Sequence, residues 1–99
     1  MTAAKHKIAA GRYLRRHRRL CELTQSEIGE QTGFSRSFIC SIETGKMRLP
    51  PNGWYRMARY LNVNPDIFCR KMLAYYEPDI FYCLYGCAPA LHDLDWRVS

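Results

Sequence analysis

Two helix-start signals flank a glycine in the segment LTQSEIGEQTGFS, and few arrangements other than a sharp corner between two short helices accommodate both. Leu23 is an apolar plug, and Thr24 supplies a side-chain oxygen able to cap a helix. Glu27 stands three residues later and completes the capping-box pattern Thr-x-x-Glu. The helix so begun spans Gln25 to about Thr32 and stops at Gly33, which tolerates positive φ at little cost. Ser35 offers the next cap, and a helix from Arg36 to about Thr44 turns Phe38, Ile39 and Ile42 inward before Gly45 ends it. For the second helix to cross the first closely, the first must be small at the crossing, and Gly29 is small there. Ile28, Phe34, Ile39 and Ile42 are spaced to lock the pair.

The remaining segments also read as helices. The first is expected from about Lys5 to Cys21, with Ala10, Leu14 and Leu20 on the apolar stripe and Arg12, Arg15, Arg16 and Arg19 filling the rest. Lys46–Asn52, with two prolines and two cations, reads as a loop. A fourth helix over Gly53–Leu61 directs Trp54, Met57, Ala58 and Leu61 to a core. Asn64 caps a fifth, in which Pro65 takes the first position and Ile67, Phe68 and Met72 point inward, and Pro78 ends it. No strand alternation precedes residue 79, and no repeat is present. The expectation is an all-α, five-helix domain over residues 1–77 and a C-terminal extension over 78–99. That aromatic extension, broken by Gly86 and Pro89, reads as one short helix about Asp79–Tyr85, with a strand-like arm or a partner-facing tail as alternatives.

Charge is distributed unequally. The net formal charge is +6, and residues 1–48 carry all of it, with ten Lys/Arg against four Glu; the other half is balanced at five and five. A one-sided basic balance suits a polyphosphate partner, because neutralising phosphates releases condensed counterions. A solvated basic helix would look the same, so charge opens the question without settling it. The corner helps more: it leaves the N-terminal turn of its second helix protruding, ready for a major groove.

No apolar run approaches the roughly 18 residues needed to cross a bilayer. The N-terminal stretch lacks the uninterrupted apolar segment of a signal peptide. Five cysteines, an odd number without an export signal, favour reduced thiols in a cytoplasmic protein. Cys83, Cys87 and His92, with Cys69 as a fourth, form no zinc spacing, so no metal or cofactor is expected. Redox sensing through Cys83–Cys87 or Cys40 is the other reading of these thiols. His6, His17 and His92 are scattered, and neither a glycine-rich phosphate loop nor a paired-carboxylate site occurs, which argues against an enzyme.

The run LTQSEIGEQTGFSRSFICSIETGKMRLP resembles the Xre/lambda-repressor-like helix-turn-helix family. The matching positions are Leu23-Thr24-Gln25, Ile28-Gly29, Gly33, Ser35, Ile39, Ile42-Glu43 and Gly45. The likeness extends from about Ile8 to Phe68, with Gly29 where the family usually has Ala. It implies double-stranded DNA as partner, with Arg36, Ser37 and Ser41 facing base edges. The Arg36 fork suits guanine O6 and N7, a phosphate contact being its other use. It implies that Ser35 caps and touches a phosphate, and that Gln25 bonds a phosphate or braces the recognition helix. Lys46 and Arg48 would clamp the backbone, or else lie in a solvated loop. Arg18 and Glu43 would pair and hold the recognition helix in place. Tyr75, Tyr76, Phe81, Tyr82, Tyr85 and Trp96 form a dimer or partner surface, or close the monomer's own core. The resemblance thus implies a transcriptional regulator, a repressor binding an inverted-repeat operator as a homodimer. The alternative is an antitoxin-type protein that grips a partner through its tail and autoregulates its operon.

Overall fold

The fold is a computed structural model that describes residues 3–98. Its helix boundaries follow from local chemistry where caps exist. Helix α2 (Gln25–Thr32) starts on a complete capping box: Thr24 Oγ1 accepts from the Glu27 amide at 3.0 Å, and the Thr24 amide donates to Glu27 Oε1 at 2.9 Å. It ends at Gly33, whose φ of 81° is the left-handed cap conformation. Helix α3 (Arg36–Glu43) starts at Ser35, whose hydroxyl accepts from the Phe38 amide at 3.1 Å. Before them runs α1 (Ala3–Leu20); after them come a 3-10 turn (Pro51–Gly53), α4 (Trp54–Tyr60) and α5 (Pro65–Tyr76). Asn64 caps α5 by accepting from the Asp66 amide at 2.8 Å. Two further helices, α6 (Pro78–Tyr85) and α7 (Leu91–Leu94), complete an all-α chain with no strand among the described residues.

The core sits where α1 meets α3 and α5, with α4 closing one side. Tyr13, Leu14, Ile28, Ile39, Ile42, Leu49, Phe68, Met72 and Tyr75 are all buried there. Burial of each such side chain contributes roughly 1.5–3 kcal/mol against chain entropy. Two glycines set how closely the helices approach. A Cβ on Gly11 would lie 2.3 Å from the Glu43 carbonyl oxygen, so α3 ends directly against the bare backbone of α1. A Cβ on Gly29 would lie 2.6 Å from the Phe34 carbonyl oxygen, which is why the corner is bare at that position.

Two residues expected in the core lie outside it. Leu20 is exposed, because the buried stripe of α1 is Ala10, Tyr13, Leu14 and His17. Ile67 is exposed, because α5 turns Phe68, Lys71, Met72 and Tyr75 inward, the i, i+3, i+4, i+7 face one residue further on. The segment after Pro78 folds back on α5. Phe81 of α6 is fully buried, and buried Lys71 donates from Nζ to the carbonyls of His92 at 2.9 Å and Asp95 at 2.7 Å. Lys71 thereby holds the carbonyl end of α7. Arg70 pairs with buried Asp93 at 3.0 Å, and Asp93 in turn accepts from the Ala90 amide at 2.9 Å.

Candidate nucleic-acid interface

Helix α3 is gripped from behind and bare in front. Ile39 and Ile42 are buried, whereas Arg36, Ser37 and Cys40 are exposed and Ser41 is half-buried. The exposed face therefore carries one cation, small polar groups and no carboxylate. Thr44, also exposed, donates from Oγ1 to the Cys40 carbonyl at 2.9 Å.

At the base of α3 stands a buried network. Arg18 Nε and Nη2 meet Glu43 Oε2 and Oε1 at 2.6 and 3.0 Å, a bidentate pair. The two side chains are 11% and 5% exposed, so solvent screens the pair little. Arg18 Nη1 also donates to the Leu23 carbonyl at 2.7 Å, which ties the start of the corner to its end. Gln25 Nε2 donates to Glu43 Oε1 at 3.1 Å. Of the two roles open to Gln25, bracing is the one with a contact in this structure. Bonding to the Thr24 backbone, and then to its side chain, lowers the Glu27 carboxyl below its ordinary range. The negative charge therefore stays at the α2 N-terminus, where the helix dipole favours it.

Lys46 and Arg48 differ in setting. Lys46 is exposed just past Gly45 and enters no ion pair among the described residues. Arg48 Nη2 donates to the Tyr76 carbonyl at 3.1 Å and meets Glu77 at 3.3 Å, with its guanidinium 5.1 Å from the Tyr76 ring centroid. Arg48 is thus committed to the end of α5 before any DNA arrives.

The aromatic set divides. Tyr75, Tyr76 and Phe81 are buried where α6 folds back over α5, so of the two readings they follow the one in which they close the monomer's own core. Tyr82 and Tyr85 are exposed, and Trp96 is half-buried against the core.

Sequence reasoning missed two features. Cys40 shares the outward face of α3 with Arg36, one turn away, and helical spacing alone would have placed it there. On α4, exposed Tyr55, Arg56, Arg59 and Tyr60 line a shallow cleft of about 390 Å³. Arg56 Nη1 comes within 3.8 Å of where a Cβ on Gly33 would stand, beside the α2–α3 turn. Arg-x-x-Arg flanked by tyrosines was the available signal. Among the described residues no group of three or more His, Cys, Asp or Glu is placed to hold a metal ion, and no helix is long and apolar enough to cross a membrane.

A short capped helix, a glycine corner, and a second helix with a bare outer face define a helix-turn-helix DNA-binding domain. Comparison with known families matches residues 9–67 to a helix-turn-helix domain, more than half of the chain. The chain belongs to this Xre-like helix-turn-helix family, whose members are DNA-binding and typically non-enzymatic. Comparison with curated proteins found no match.

Proposed function

We propose that this protein is a sequence-specific transcriptional repressor that acts in the cytoplasm and binds an inverted-repeat operator as a homodimer. The observation that carries the reading is the state of α3: outer face free of carboxylates, base fixed by Arg18, Glu43 and Gln25. In this reading Arg36, Ser37 and Ser41, joined by Cys40, contact base edges. Ser35 sits at the N-terminus of α3, where free amides attract a phosphate, and Gln25 braces Glu43. Lys46 clamps the backbone, and Arg48 supports the loop from behind.

The homodimer is supported by α6. Ile80, Tyr82, Leu84 and Tyr85 are all exposed within eight residues, a density of apolar surface typical of an interface. The same exposed side chains, which flank buried Phe81 on both sides, also suit an antitoxin-type reading in which a different protein covers them. Selection of bound sites from random duplex DNA tests the main reading. Two similar half-sites in inverted orientation, about one helical turn apart, are expected. Enrichment of no sequence above background would overturn it.

A further inference from the structure

Outside the helix-turn-helix, α1 carries Arg12, Arg15, Arg16 and Arg19 at i, i+3, i+4 and i+7, so the four share one face. None of them is in an ion pair with a carboxylate among the described residues, whereas neighbouring Arg18 turns to Glu43. Like charges at this spacing repel one another, so the stripe costs stability when nothing covers it. Across from it stands Trp96, with the Arg12 guanidinium 6.0 Å from its ring centroid. The four arginines, Leu20 and Trp96 line a cleft of about 490 Å³. Through Arg12 and Trp96 that cleft joins another of about 650 Å³, where Ile8, Ala9 and Leu94 supply apolar wall and Leu91 stands 89% exposed. No residue of α2 or α3 lines either cleft.

The chemistry of this groove is mixed in a particular way. A phosphate backbone would use the arginines and gain nothing from Leu20, Leu91 and the Trp96 ring. An amphipathic acidic helix uses both: its carboxylates meet guanidinium forks while its apolar side chains fill the clefts. Complementary charge would also speed encounter and reject basic partners. We infer that the groove between α1 and the α7 segment is a docking site for an acidic amphipathic segment of a protein partner. It lets the protein hold that partner while α3 stays free for DNA.

The probe is a synthetic helical peptide with glutamates on one face and leucines on the other, titrated against the full chain with Trp96 fluorescence and amide shifts as readouts. Saturable binding is expected, with shifts confined to residues 5–20 and 91–98, the stretches that line the two clefts. Arg15→Glu and Arg19→Glu, both at exposed positions, should each weaken it by about tenfold. Leu20→Ser should weaken it about threefold while leaving affinity for random duplex DNA unchanged, because it removes apolar contact and no charge. Three outcomes overturn the inference: no saturable binding, equal binding of a peptide with its leucines replaced by serine, or displacement of the peptide by an oligonucleotide that shifts the same residues.

Discussion

At Glu43 one carboxylate accepts from Arg18 Nε, Arg18 Nη2 and Gln25 Nε2, and all three donors hold the same end of the recognition helix. Removing either charge strands the other in a buried site. Arg18→Ala and Glu43→Ala should each destabilise by about 3–5 kcal/mol in urea unfolding, and the double variant by much less than the sum. Additive losses would show that the charges act separately. On the outer face the expected effects are of another kind. Arg36→Ala should relax specificity at one base position by about 1–3 kcal/mol, read from binding to single-base operator variants. Lys46→Ala should weaken all sequences alike and lower the salt slope by about one. His17 adds a pH effect. Burial, then Arg16 and Lys71, lower its pKa below the ordinary 6.5, so it stays neutral in the fold beside Tyr13. The unfolded chain takes up that proton near 6.5, so the stability involved is complete above this pH and is lost as pH falls through the lower, folded pKa. Thermal melts between pH 8 and 5 should show the loss, and His17→Gln should reduce it. Residues like these were legible in the sequence when their role follows from position in a motif, as for Arg18, Glu43 and Ser35. Cys40 was not legible as an outer-face residue because a thiol suggests redox chemistry as readily as a position on a helix surface. Gln25 stayed ambiguous because its amide reaches either a phosphate or Glu43.

At the scale of elements, local signals located the starts of α2, α3 and α5, since a cap is chemistry within three residues. Which face of a helix turns inward depends on its neighbours. That is why Leu20 and Ile67, apolar and plausibly spaced, lie outside the core. Gly11 was not legible for the same reason: what it accommodates is the end of α3, which the sequence of α1 does not contain. Gly11→Ala would push a methyl to within 2.3 Å of the Glu43 carbonyl oxygen. The backbone cannot yield without moving α3, so we expect about 1–3 kcal/mol of destabilisation together with weaker DNA binding. The extension was the least legible part. Gly86 and Pro89 interrupt its pattern, and only Phe81 of α6 is buried, so periodicity had little to report. The ties that place α7 are the Arg70–Asp93 pair and a buried lysine bonding two backbone carbonyls, contacts no hydrophobic pattern encodes. Lys71→Met should keep the packing of the stem but leave the His92 and Asp95 carbonyls without their donor. Hydrogen exchange of amides 91–97 should then speed up selectively, with α2 and α3 unaffected. Uniform acceleration would instead mark Lys71 as part of the global core.

Across the whole molecule, charge and exposed apolar surface are segregated. The excess of +6 lies in residues 1–48, where the corner and the arginine stripe are, while the balanced half carries α6 with Ile80, Tyr82, Leu84 and Tyr85 in solvent. A single small module makes few phosphate contacts, and pairing two of them multiplies affinity through effective concentration. An apolar seam on the neutral half would bring two basic halves together without placing like charges in the interface. Leu84 is the most exposed apolar side chain of α6, at 63%, so Leu84→Asp should leave the monomer's helix content and unfolding unchanged. Sedimentation should then show a dimeric wild-type chain and a monomeric variant. The variant should bind a single half-site as the wild type does but lose the added affinity for the paired site, about a hundredfold or more. If the wild-type chain sediments as a monomer at concentrations where it binds the paired site tightly, α6 is covered by a different protein and the antitoxin-type reading takes precedence.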